Sequence, residues 1–498
     1  MKMLLINPNR TYAGHGTLGP KLGLPLGLLY IAASLEKHRI PVSVFDCLIS
    51  PQTRLTSGKD DTFLGVEGDA IRSALLAEQP DIVGVSCQFS AQWENALELI
   101  RLVSEGLPGC TVVLGGPHAT VSGREILAAY PQVHFIIAGE GEVSLPRLVS
   151  AIESNNRAAF TGIPGLIWRE EDGEIRANPA ESIADLDALP LPAYHLVDFA
   201  RFYELQSQGL FARSSRFHSA SIITSRGCPY TCTFCSIHLS MGYRFRANSV
   251  EYTVNHIKHL SDNYGVCHLH IEDDNFTFKR NRANEICRRL VSEGVRLSWD
   301  TPNGVRADTL NDDLMENMKK SGCVDLVVAA ESGDQEVVTN IVKKKLDLNT
   351  IVSAAALGKK HGIPMGCFFV IGFPGETQTN INNTLDFAVK LYTRYNCQPI
   401  VNLATPLPGT ELSQIVQDCG YLAREMSPGN LARGTSVYGS GMIRTPEFDP
   451  EYLRRSSARF DLRIERIRRR KRATFLLWHP GELYEFIRRR VLHRNTAP

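Results

Sequence analysis

The sequence predicts an α/β chain: a doubly wound, Rossmann-like sheet, then a partial (β/α)6 TIM-like barrel, then a short basic helical tail. Three observations predict it. Short aliphatic runs alternate with helical stretches over residues 1–150, and the alternation resumes from Ser221 for six further units. Between them, residues 151–215 lose the rhythm and carry a hairpin signal and prolines. Beyond about residue 425 the pattern fades into glycine-rich loop and then an arginine-rich run.

The first series places strands at 3–7, 42–46, 81–86, 111–116 and 134–139, with helices near 28–37 and 93–105. Strand–helix alternation means parallel pairing, and ligands of such sheets bind beyond the carboxyl ends of the strands. Gly115, Gly116 and Gly139 sit at those ends, either to admit a ligand or simply to turn the chain. The runs 166–169 and 174–176 flank Asp172-Gly173, a hairpin signal, and Pro190 and Pro192 suit an extended linker. The second series has strands near 221–227, 268–274, 297–303, 325–331, 365–371 and 399–405. In closed or partly closed parallel barrels, chemistry gathers at the carboxyl ends of the strands. The expected domains are therefore 1–150, a hairpin and linker over 151–215, the barrel over 216–425, and a C-terminal region over 426–498.

Composition narrows the class. With 498 residues, 43% hydrophobic and 21% charged, the chain has the make-up of a globular protein of two to four domains. No apolar run approaches membrane-span length and the start lacks a signal-peptide core, so a cytoplasmic location is expected. The net charge of +1 hides an asymmetry: residues 451–498 carry 14 Lys/Arg against 5 Asp/Glu, leaving a mildly acidic body. A basic tail on an acidic body is not the footprint of a nucleic-acid enzyme, so no nucleic acid is expected as partner. The tail's arginines beside Phe475–Trp478 either seat on an anionic membrane surface or close the barrel as a solvated helix.

Nine of the twelve cysteines are scattered. The other three form Cys228-x3-Cys232-x2-Cys235, just after the first barrel strand. Three thiolates this close can face one metal centre, and sulfur-only ligation favours zinc or iron–sulfur. A structural zinc site normally takes four protein ligands, and only His238 is nearby as a fourth. Three cysteines on a 4Fe-4S cluster leave one iron open to a small molecule.

The cysteine run and the six-unit region resemble the radical S-adenosylmethionine (SAM) enzymes. That resemblance implies a 4Fe-4S cluster on Cys228, Cys232 and Cys235, with SAM chelating the fourth iron and being cleaved reductively to a 5′-deoxyadenosyl radical. It implies SAM contacts from Phe234, from Glu272, Asp273 and Asp274 after the second strand, from Arg306 after the third, from Glu331 and Ser332 after the fourth, and from Gly372 after the fifth. The segments 81–86, 114–120 and Gly139-Glu140-Gly141-Glu142 resemble the cobalamin-binding domain fused ahead of many such barrels. There Ser86, Ser90, Gly115, Gly116, Gly139 and Glu140 would line cobalamin. The Asp-x-His-x-x-Gly run that supplies a lower cobalt ligand in many cobalamin proteins is absent, as in many members of the fused family.

The expected activity is that of a cobalamin-dependent radical SAM methyltransferase: methylcobalamin donates a methyl to an unactivated carbon, or to phosphinate phosphorus, of a small-molecule substrate. An external electron donor of flavodoxin or ferredoxin type is implied. A non-methylating member such as an oxidative ring cyclase, and a corrinoid-binding sensor or carrier, stay open alternatives. The intact cysteine triad argues against the sensor.

Overall fold

A computed structural model describes residues 1–13, 22–59, 61–208, 218–435 and 440–478. Thirteen strands build its two main sheets. The first contains β1 (Met3–Asn7), β2 (Val42–Asp46), β3 (Ile82–Ser86), β4 (Thr111–Gly115), β5 (Phe135–Ile137), β6 (Leu166–Arg169) and β7 (Ile175–Ala177), in the spatial order β7-β6-β5-β4-β3-β1-β2. β1 to β5 are parallel. Met3, Leu5, Ile82 and Val113 pack beneath one layer of helices, and Leu4, Ile6, Val83, Val85 and Val112 beneath the other, the period-two pattern of a sheet covered on both faces.

Two features extend the expected organisation. The 166–177 hairpin adds antiparallel to β5 and completes the edge of the first sheet, burying Trp168. A small antiparallel sheet of Arg10–Ala13, Arg54–Ser57 and Asp61–Gly65 also flanks this domain. The linker is extended through its prolines and then forms the helix Phe199–Ser207, whose Phe202 and Leu205 enter the barrel core.

The second sheet is β8 (Ser219–Ile222), β9 (His268–Ile271), β10 (Ser298–Val305), β11 (Cys323–Glu331), β12 (Met365–Ile371) and β13 (Gln398–Leu403), all parallel and in sequence order. These are the six predicted strands, and with their intervening helices they form the partial barrel. Leu269, Ile271, Trp299, Cys367 and Phe369 face the surrounding helices, so the alternate residues face the lumen. Five of these helices start on side-chain caps: Ser249, Asn311, Asp347, Thr377 and Thr410 each accept an N–H of the first turn.

The described part of the tail is a helix, Pro450–Trp478. Leu453, Phe460 and Ile464 make a stripe at helical spacing that packs on the barrel. Arg463 pairs with Asp386, and Lys471 donates to the Tyr392 carbonyl. Arg454, Arg455, Arg468 and Arg469 pair with Glu451 and Glu465 of their own helix. The basic run at 488–490 lies outside the described residues. Among the described residues no helix is long and apolar enough to cross a membrane.

Candidate active site at the domain junction

The three cysteines lie in the loop between the short strand Ser225–Arg226 and the helix Ile237–Met241. Gly227 starts it at φ +80°, and a Cβ there would stand 2.5 Å from the Arg244 carbonyl oxygen, so only glycine lets the chain turn here. The loop is tied across the barrel mouth. Thr233 N–H donates to the Val342 carbonyl, its hydroxyl donates to the Ile341 carbonyl, and its own carbonyl accepts from Leu412 N–H. All three thiols are free. Burial pushes the Cys232 thiol up to about 11 and Cys235 up to about 12, and the neighbouring cysteines push the same way. Such grouped thiols ionise when a metal centre replaces their protons, so the donor set fits a cluster held by sulfur.

The acidic run after β9 divides its labour. Asp273 is buried, and its carboxylate accepts from Thr224 N–H at 2.5 Å, Thr224 Oγ1 at 2.6 Å and Ser225 Oγ at 2.6 Å. It therefore anchors the root of the cysteine loop. Burial, with the Asp273 charge beside it, lifts the Asp274 carboxyl to about 7 although Gly227 N–H donates to it. Glu272 accepts from Ser221 Oγ at 3.3 Å on the lumen side.

Arg306 is taken up by the protein itself. It donates to the Asp308 carboxylate and to the Lys344 and Lys345 carbonyls, and lies 3.7 Å over the Tyr230 ring. Glu331, at φ +64°, accepts from Lys344 at 2.6 Å, both side chains being buried. Ser332 Oγ is shared with Thr384 Oγ1 at 2.7 Å. Phe234 stands 5.7 Å from Phe373, and the N–H groups of Gly372 and Phe373 both donate to the buried Glu376. Burial lifts Glu376 to about 7. A cleft of about 200 Å³ opens beside Phe234, lined by Val370, Asn402, Ala404 and Thr405 from the last two strands.

Two residues escaped sequence reasoning. Lys344 sits in the run Lys343-Lys344-Lys345, which reads as a solvated charge cluster. Positive φ at Lys343 and Lys345 brackets a middle lysine that is buried instead, close enough for its charge to act on Cys228 and Cys232. The other is Arg226, two residues before Cys228.

Across the junction, the first domain supplies the carboxyl ends of its strands. Strand order reverses beside β1, and a crevice there is lined by Asn7, Asn9 and Arg10 from one side and Ser86, Gln88 and Phe89 from the other. Ser90 Oγ pairs with His118 at 2.9 Å, and burial holds that imidazole down at about 4. Gly116 has φ +98°, and a Cβ there would lie 2.7 Å from the Cys87 carbonyl oxygen. Nothing would come closer than 3.9 Å to a Cβ on Gly115, so that side of the β4 end is open. Glycine-bared backbone beside a strand-end crevice fits a bulky ligand approaching from the carboxyl side.

Glu140 does not stand free at this edge. Its carboxylate accepts from Arg246 at 2.8 Å and from Ile183 N–H at 2.6 Å, with Arg226 at 3.4 Å. Glu142 pairs with Arg226 at 2.6 Å. Arg226 also lies 5.2 Å over the Tyr30 ring. Four buried charges thus weld the loop after β5 to the root of the cysteine loop.

Comparison with known proteins agrees with this two-part site. Residues 20–149 match the B12 binding domain model, and residues 222–388 match the radical SAM superfamily model. The chain is 30% identical, over 92% of its own length and 89% of the relative's, to the cytidylyl-2-hydroxyethylphosphonate methyltransferase of Streptomyces wedmorensis. It belongs to the cobalamin-dependent radical SAM enzymes. An uncharacterized methyltransferase of Pyrococcus horikoshii is also 30% identical, covering 83% of this chain and 82% of that one. The radical SAM methyltransferase TsrM of Kitasatospora setae, solved with tryptophan and a SAM analogue, has the same fold: TM-score 0.67 at 18% identity, over 93% of this chain and 88% of that one. As a member of this family the chain uses a 4Fe-4S cluster, SAM and cobalamin.

Proposed function

We propose that this enzyme methylates a carbon atom of a small polar molecule, with Cys228, Cys232 and Cys235 holding the cluster, and with Ser86 at the end of β3 and the glycine-lined ends of β4 and β5 holding cobalamin. The observation that carries the reading is near full-length similarity to a methyltransferase, on a chain whose two ligand-facing loops are joined by buried ion pairs. When bound, the cluster supplies an electron, SAM a source of radical chemistry and cobalamin a methyl carrier.

The chain supplies position and dryness. Asp273 holds the root of the cysteine loop through Thr224 and Ser225, and Thr233 holds its far side to Val342 and Leu412. Asp274 and Glu272 present acceptors for an amino group at the rim. Lys344, fixed by Glu331, brings a positive charge toward the cluster loop and a SAM carboxylate. Phe234 and Phe373 offer an apolar wall to the adenine. Glu140 and Glu142 fix how far the first domain stands from that rim, which sets the reach between the two cofactors. A flavodoxin- or ferredoxin-type protein serves as electron donor.

The test is transfer from SAM carrying a deuterated methyl group, under reducing anaerobic conditions, to a pool of small candidates that includes nucleotide-linked phosphonates. A product heavier by the labelled methyl, together with 5′-deoxyadenosine, is the expected result. Substrate-dependent 5′-deoxyadenosine with unlabelled product would overturn methylation in favour of a cyclase-like reaction.

A further inference from the structure

Low in the barrel lumen lies a cluster that the reaction above does not use. His268 and His270 alternate with Leu269 and Ile271 on β9, so both imidazoles face the lumen while the leucine and isoleucine pack under the helices. The neighbouring strand pairs Ser298 with His268 and Asp300 with His270. Thirty residues of sequence separation thus collapse into one polar layer. His270 Nδ1 lies 2.8 Å from one Asp300 oxygen, and His268 Nε2 lies 3.4 Å from the other. The three ligand atoms lie within 4.8 Å of one another.

Two details point to a cation between them. His268 is completely buried, and its Nδ1 stands 2.7 Å from Ser298 Oγ, whose hydroxyl donates to the Cys267 carbonyl. Where the serine's single hydrogen lies on that carbonyl, 3.4 Å away, Oγ accepts from Nδ1–H. In that tautomer the buried Nε2 lone pair faces a carboxylate oxygen, an arrangement that a positive ion relieves. The 3.4 Å gap is also long for an N–H···O bond. It matches the edge of a tetrahedron, because ligands about 2.0–2.1 Å from a zinc ion stand about 3.3–3.4 Å apart. A serine that fixes the tautomer of a ligating histidine is the usual outer support of such a site.

We propose that His268 Nε2, His270 Nδ1 and the Asp300 carboxylate bind a zinc-class divalent ion, distinct from the cysteine-held cluster, with a remaining coordination position open to an oxygen ligand from the lumen. Two histidines and one carboxylate are a donor set that borderline divalent metals select.

The test is equilibrium dialysis of the full-length holoenzyme, cluster and cobalamin loaded, against chelator-buffered Zn2+, with zinc, iron and cobalt counted separately. About one bound zinc per chain is expected, at a free concentration where Asp300→Asn and His270→Ala bind at least about 100-fold more weakly while keeping their iron and cobalt. Ser298→Ala should weaken binding about 10-fold, as loss of an outer partner does. Asp300→Asn is close to isosteric and His270 is not at the packed end of the cluster, so unaltered circular dichroism is expected for both. Zinc K-edge absorption should show imidazole and oxygen neighbours. Equal zinc affinity in wild type and Asp300→Asn, or a sulfur shell near 2.3 Å marking occupation of the cysteines instead, would overturn the assignment.

Discussion

Replacing Arg226 by methionine removes the charge that joins Glu142 to the cysteine loop while keeping an unbranched stem over Tyr30. Arg226, Glu140 and Glu142 are all less than a tenth exposed. Burial lowers the Arg226 guanidinium's hold on its proton, but the Glu142 and Glu140 carboxylates more than offset it, keeping the group above its ordinary value. After the substitution Glu140 keeps Arg246 and the Ile183 N–H, whereas Glu142 loses its cationic partner. Stranding a buried charge in this way costs about 3–5 kcal/mol. With a urea slope of about 2–3 kcal/mol per molar, the unfolding midpoint should fall by about 1–2.5 M. Trp168 in the first sheet and Trp299 in the barrel contribute fluorescence from the two halves, so a junction effect should also widen any difference between the midpoints of the two halves. Arg101→Ala is the control: its partner Glu98 and Arg101 itself are more than half exposed, and such a pair contributes at most about 1 kcal/mol. A midpoint shift for Arg226→Met no larger than for Arg101→Ala would refute the claim that this pair fixes the junction. So would a Glu142→Gln, Arg226→Met double variant that loses the full sum of both single losses, since a direct pair should leave a coupling of about 2 kcal/mol.

Further expectations follow from the same geometry. Replacing Cys228, Cys232 and Cys235 together by alanine should abolish the brown iron–sulfur absorbance and 5′-deoxyadenosine formation; persistence of either would remove the cluster assignment. Gly115→Val should keep the wild-type melting temperature yet lower cobalamin occupancy with iron content intact, because a side chain there meets open space rather than protein. Gly116→Ala should lower stability itself, by about 1–3 kcal/mol, since φ is +98° and the Cys87 carbonyl is in the way. Glu376 holds its proton to about pH 7 when folded against an ordinary value of 4.5. Its contribution is therefore fully present below about pH 4.5 and lost as pH rises through 7, a difference of about 3 kcal/mol. Glu376→Gln should flatten the urea-midpoint profile of the ligand-free protein between pH 5 and 8, and an unchanged slope would mean that the carboxylate is not what titrates.

Periodicity made most of the scaffold legible. Runs such as 112–115 and 365–371 are apolar throughout because their strands are buried on both faces, and a helical stretch after each leaves only parallel pairing. The cysteine spacing marked a thiolate site for zinc or iron–sulfur, and the resemblance to radical SAM enzymes chose between them. What stayed hidden has physical reasons. Arg10–Ala13 and Arg54–Ser57 are short and polar, so an antiparallel edge sheet leaves no apolar alternation to read. Glu140 and Arg306 stood at positions a family pattern marks for cofactors. A pattern gives the place of a side chain but not its partner, and both turn out to be held by protein groups. Nothing in a run of three lysines singles out Lys344; the left-handed residues on either side of it fold it inward. Asp300 could not be joined to His268 and His270 from sequence, because only the register of β9 on β10 brings them together.

The placing of charged rather than apolar residues at the root of the cysteine loop has a consequence for how the two halves work together. A hydrophobic interface of similar size would be as stable or more so, since desolvating ions consumes most of their attraction. It would also tolerate sliding, because apolar contacts are non-directional. The guanidinium groups of Arg226 and Arg246 accept their carboxylates only along fixed hydrogen-bond directions. They lie on the strand pair Ser225–Arg226 and Arg246–Ala247, in register with each other and on either side of the cysteine loop in the chain. A shift of the first domain by even one residue's length would leave Glu140 and Glu142 buried without partners. The network therefore contributes little net stability when formed and a large penalty when misaligned. That asymmetry is what a two-cofactor enzyme requires, because the groups it must bring together sit on two different sheets, and the apolar contacts of Leu26, Leu29 and Leu48 that join the first domain to the barrel core carry no direction of their own.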